Sequence, residues 1–186
     1  PDLSRRLPGA AAVLIAAFFW SLSPFLVKYV PVDPLLLPGI RALMAGLLLL
    51  PWFKPGQLEC SPRLALMAVS FCAVSVCAVL AFRHTAAANA TALYFSSPLW
   101  IFVATSLLAR RVNLLSLPAV LLLLAGIIVI ILEPKLGNNQ LGNVMGVCGG
   151  FSFACFALCF DRVPHAARIS HLALCNLCAA PLILIL

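Results

Sequence analysis

The chain has 186 residues, 64% of them hydrophobic and 9% charged, with 12 Lys and Arg against 5 Asp and Glu for a formal net charge of +7. Soluble domains are nearer half apolar and a quarter charged, and disordered chains are polar, so this composition excludes both. The basic residues form no stripe interleaved with polar and aromatic groups, which argues against nucleic acid as a partner and leaves a polytopic membrane protein embedded in the lipid bilayer.

Seven apolar stretches follow in order, at residues 9–27, 35–53, 64–82, 85–109, 114–132, 141–160 and 169–186. Most hold about 19 residues, roughly 28 Å of helix and so one hydrocarbon thickness. Strands of a membrane barrel would be half as long and would alternate apolar with polar residues. The predicted fold class is therefore all-α, a transmembrane helical bundle. The connections carry turn residues, as in Val32-Asp33-Pro34, Lys54-Pro55-Gly56 and Gly137-Asn138-Asn139. No loop has the length of a soluble domain.

Charges on alternate loops set an orientation. Arg5, Arg6, Lys54, Arg63, Arg110, Arg111, Arg162 and Arg168 fall on one side, and Lys28, Arg83 and Lys135 on the other. The positive-inside rule then predicts a cytoplasmic N-terminus, in the inner or plasma membrane if the source is bacterial. The first span is followed directly by Lys28 and lacks a cleavage site, so it does not read as a signal peptide.

The chain begins with Pro1 and ends within an apolar run, Pro181 to Leu186, so it is expected to be part of a longer protein. A shift of 133 residues lays the first span and its loop on the sixth. Gly9 then meets Gly142, Phe18 meets Phe151, Val30 meets Val163 and Pro31 meets Pro164. A unit of five spans is odd, so a second copy enters the membrane in the opposite sense, as in inverted-repeat transporters with a site between the copies. The first unit is placed at 9–133 and the start of the second at 142–186.

The stretches "AAFFWSLSPFLVKYVPVDPLLLPGIRALMAGLLLLP", "RHTAAANATALYFSSPLWIFVATSLL" and "PAVLLLLAGIIVIILEP" resemble the EamA-type family of the drug/metabolite transporter superfamily. The matching features are Lys28 after the first span, Arg41 early in the second, and a fourth span with Ala86, Ala87, Ala88 and Ser97-Pro98. The resemblance implies ten helices, seven of them present here, with both termini cytoplasmic and small metabolites or drugs as cargo. One departure is Ala109-Arg110-Arg111, where the family usually has a Glu beside the Arg.

The acidic residues Asp2, Asp33, Glu59, Glu133 and Asp161 all lie in or beside loops. A carboxylate held mid-membrane is the usual device for proton or cation coupling, and none is available here. Arg41 is the one charge within a span, roughly 10 Å from the outer end of its helix. It reads either as a ligand for an anionic or zwitterionic substrate or as an anchor that snorkels to the interface.

Two faces suit a substrate pocket. Val13, Ala16, Trp20, Ser23 and Pro24 share a stripe of the first span. Asn89, Leu93, Ser97 and Trp100 share one of the fourth, with Tyr94 alongside. Aromatic walls with a few polar groups describe many small-molecule sites, and the alternative is packing between helices. The candidate substrate residues are Trp20, Ser23, Arg41, Asn89, Tyr94, Ser97 and Trp100.

Gly142, Gly146, Gly150 and Ala154 recur every four residues and predict close helix packing. Ser70 and Ser75 are expected to bond back to their own helix. Cys175 and Cys178 form a CxxC after His171, but seven of the eight cysteines sit in apolar runs and read as packing. No cofactor and no metal is called for. The functional rivals are a seven-helix receptor or a scaffold without transport. A receptor would place its N-terminus outside, and no intramembrane protease motif is present, so an enzyme is not expected.

Overall fold

The computed structural model describes residues 11, 13–22, 27, 29, 33, 36–58, 61–110, 116–132 and 139–185. Its elements are all helical, with no strand among the described residues: α1 (Val13–Leu22), α2 (Leu36–Leu49), α3 (Pro62–His84), α4 (Ala87–Tyr94), α5 (Ser97–Ala109), α6 (Leu117–Leu132), α7 (Gln140–Asp161) and α8 (Arg168–Ile185). Among the described residues, four segments are long and apolar enough to cross a membrane: Pro62–His84, Ala87–Ala109, Gln140–Asp161 and His165–Ile185. Shorter apolar helices occupy the other three stretches, at Val13–Leu22, Leu36–Trp52 and Leu117–Val129. The protein is a polytopic helical membrane protein.

Two compact units are present, residues 1–31 and 32–186. The first contributes α1, on which Phe18 and Phe19 meet edge to face with centroids 6.0 Å apart.

Local chemistry sets the helix ends. Pro62 opens α3 after Ser61 in extended conformation, where its missing N–H costs nothing. Asn139 caps α7, its side-chain oxygen accepting from the Leu141 N–H at 3.0 Å. The span 87–109, expected as one helix, is broken at Phe95–Ser96. Pro98 cannot donate to the Tyr94 carbonyl, so the helix ends with the Ser96 N–H turned back to Leu93 O at 3.1 Å and restarts at Ser97. α5 ends on Arg110 in the left-handed region, φ 49°.

α7 lies at the centre, packed on α3, α4 and α5, while α2 packs chiefly on α8. The glycines show how closely. A Cβ placed on Gly142 would stand 2.8 Å from the Thr85 nitrogen, and one on Gly146 2.8 Å from the Leu93 Cβ. One on Gly150 would run into the Ser96 hydroxyl oxygen and stand 2.8 Å from the Tyr94 carbonyl. The small-residue stripe read from the sequence is therefore a packing surface, with Ala154 also buried. A second seam joins α2 to α8. Gly39 meets Leu184 and Gly46 meets Leu177, so the two helices run antiparallel. Ala42, Ala179, Ala180 and Ile183 close the core between them, with Phe71, Cys72 and Val76 of α3 against it.

Leu107 and Leu108 of α5, and Leu122, Val129 and Leu132 of α6, are well exposed. Such apolar surface suits contact with lipid chains, not water.

Candidate functional site

The fourth span brings most of the predicted polar residues into the helix packing. Asn89, Tyr94 and Ser97 are buried, and Trp100 is half-buried. Leu93 is completely buried against Gly146, and Tyr94 lies over Gly149, so this face rests largely on α7. Aromatic contacts continue the seam, with Tyr94 and Phe153 5.7 Å apart between centroids and Trp100 and Phe151 meeting edge to face at 5.3 Å.

Three buried polar atoms of this span have no hydrogen-bond partner: Asn89 Nδ2, Ser96 Oγ and Trp100 Nε1. Leaving such a donor unsatisfied costs about 1–3 kcal/mol, so each calls for an explanation. Several other hydroxyls of the bundle are satisfied. Thr91 bonds back to Ala87 O at 2.7 Å and Ser75 to Phe71 O at 3.0 Å, the latter as the sequence suggested. Thr85 donates to Asn143 Oδ1 at 3.2 Å, tying the end of α3 to the start of α7.

Arg41 on α2 keeps an exposed side chain, yet its charge is within electrostatic reach of the Tyr94 hydroxyl. Tertiary structure thus joins two candidates far apart in sequence. Trp20 belongs to the other compact unit, and Ser23 and Pro24 lie outside the described residues.

The profile of the EamA-like transporter family matches residues 7–132. The chain belongs to this family. No curated protein and no solved structure matches it. Members of the EamA-like family are membrane transporters and not enzymes, which makes this a multi-pass membrane protein with a small-molecule cargo. The matched segment contains every one of the seven candidate substrate residues.

A cavity of about 330 Å³ lies elsewhere, lined by Ser61, Arg63, Met67, Cys159, Arg162 and His171 among others. None of the seven candidates lines it. In the sequence, Arg63 and Arg162 served only to orient the bundle, and no local pattern shows that the ends of α3, α7 and α8 meet. The CxxC holds free thiols, Cys175 buried and Cys178 half-buried. His171 Nδ1 is bonded to Ala167 O at 2.9 Å, one turn back on its own helix. Among the described residues, no group of His, Cys, Asp and Glu has a metal-binding arrangement.

Proposed function

We propose that this chain forms the first five-span unit and the start of the second in a ten-span EamA-like transporter, with cargo bound near the membrane midplane between inverted units. The units are 9–133 and one beginning at 142–186, the N-terminus is cytoplasmic, and the cargo is a metabolite or drug with an anionic or zwitterionic group. The repeat reading draws support from the α2–α8 seam. With the 133-residue offset these two helices are counterparts, and counterparts related by a two-fold axis in the membrane plane meet antiparallel. Gly39 against Leu184 and Gly46 against Leu177 have that sense.

The observation that carries the site is the polar set on α2 and the broken fourth span. Arg41 and Tyr94 interact electrostatically, and Asn89 and Trp100 keep buried N–H groups without acceptors. A cargo carboxylate or phosphate supplies acceptors, and Arg supplies the charge to hold it. Trp20, Ser23 and Ser97 remain candidate cargo residues on the strength of the sequence alone.

Uptake into proteoliposomes by the full-length protein, normalised to inserted protein, tests this. Arg41→Ala is expected to lose transport at unchanged abundance. Arg41→Lys recovers only part, because Lys lacks the planar fork. Full activity of the Lys variant, with loss of abundance in the Ala variant, makes Arg41 an interfacial anchor instead.

A further inference from the structure

We propose that the cavity at the ends of α3, α7 and α8 binds a phosphate-class anion, presented either by a phospholipid headgroup or by a soluble phosphate ester. The cavity measures about 330 Å³, at the small end of the range for ligand pockets. Two arginines from distant parts of the chain line it, Arg63 at the start of α3 and Arg162 at the end of α7. Among the described residues no carboxylate pairs with either guanidinium. Glu59, the nearest acid to Arg63 in sequence, lies outside the described residues.

Three further features act in the same direction. The 23-residue α3 points its N-terminus here, and Ser61 at its cap makes no side-chain hydrogen bond to the first turn. Pro62 has no N–H, and Leu64 and Ala65 already donate to Ser61 O at 2.9 and 3.4 Å, so the helix adds the positive end of its dipole and the Arg63 N–H to the two guanidinium charges. His171 is buried and lines the cavity; its Nδ1 donates to Ala167 O, so in the neutral ring Nε2 is an acceptor for a ligand hydroxyl such as that of a glycerol headgroup. Arg168 is committed elsewhere. Its Nε donates to Val163 O at 3.2 Å and its guanidinium stacks 5.5 Å above Phe160, which fixes the turn that carries Arg162.

Arg63 and Arg162 are both exposed, so water screens their mutual repulsion, and an anion held between them gains from both charges. A phosphate group has enough oxygens to engage two guanidinium forks and the Arg63 N–H together. Leu64, Met67 and Val163 supply an apolar wall beside the charges, suited to the glycerol and first methylenes of a lipid. Basic pockets between transmembrane helices at the cytoplasmic face hold anionic headgroups in this way.

The test titrates the full chain, purified in a neutral detergent, with short-chain phosphatidylglycerol, matched phosphatidylcholine and glycerol phosphate, and reads the melting temperature. Phosphatidylglycerol is expected to raise it and phosphatidylcholine not. Arg63→Gln and Arg162→Gln should each weaken the apparent affinity about tenfold, the loss of one charged hydrogen bond. Arg110→Gln, a basic residue outside the cavity, should leave it unchanged. Arg63→Lys and Arg162→Lys, which keep the charge, should fall between and serve if a Gln variant folds poorly. Stabilisation by glycerol phosphate as well identifies soluble esters as ligands, and stabilisation by phosphatidylglycerol alone identifies lipid. Wild-type responses from both Gln variants, or an equal loss in Arg110→Gln, would overturn the proposal.

Discussion

Adding one methyl group to α7 tests the packing of the bundle directly. In Gly150→Ala the new carbon meets Tyr94 O at 2.8 Å and Leu93 O at 3.1 Å, with the Ser96 hydroxyl closer still. Carbon–oxygen contacts ordinarily lie near ~3.3–3.6 Å, so α7 and α4 must separate by roughly half an ångström. Two of the three obstructing atoms are backbone and cannot rotate aside. In Gly142→Ala the neighbours are Thr85 N at 2.8 Å and His84 C at 2.9 Å, backbone again. Overpacking of this kind costs about 1–3 kcal/mol. Gly126→Ala on α6 is the control, since nothing lies within 4 Å of its added carbon and it gains up to ~1 kcal/mol of helix propensity. Ala brings a similar propensity gain at all three helical sites, so the two α7 variants should fall about 1–3 kcal/mol below the α6 variant. Reversible unfolding in mixed micelles with increasing sodium dodecyl sulfate, followed by circular dichroism, measures the difference. Ser96→Ala placed on Gly150→Ala should recover only part of the loss, because the two carbonyls remain. Equal stability of Gly150→Ala and Gly126→Ala would refute the close packing of α7 on the broken span.

The other expectations address topology, a helix end and the aromatic faces. In a Cys-free background, an impermeant thiol reagent should label Asn138→Cys from outside and not Ala166→Cys; outside labelling at 166 reverses the orientation. Arg110→Gly should raise stability by about 1 kcal/mol in the same unfolding assay, because an L side chain at φ 49° pays a steric cost that glycine avoids. Trp20→Ala and Trp100→Ala should impair proteoliposome uptake in the full-length protein while leaving membrane abundance unchanged. If abundance falls in proportion to uptake, these side chains pack between helices and do not line the pathway.

The sequence by itself determined the class of molecule and the stretches in which the described apolar helices lie. Both follow from burying a backbone in hydrocarbon, which demands about twenty apolar residues per span whatever surrounds them. Glycines four residues apart likewise announced a close helix contact, because only the local period is needed to place them on one face. Tertiary structure decided what each face touches. It set Leu93 and Tyr94 against Gly146 and Gly149, a partner that the period of the fourth span does not name. It ended that span at Phe95–Ser96, where the sequence showed only a proline that helices in membranes often tolerate. It brought the charge of Arg41 into electrostatic range of Tyr94, and Arg63 and Arg162 to one cavity, from positions far apart in the chain. Charge and hydropathy act along the chain and are legible there, whereas convergence of side chains depends on which helices pair, and that is fixed by contacts between segments.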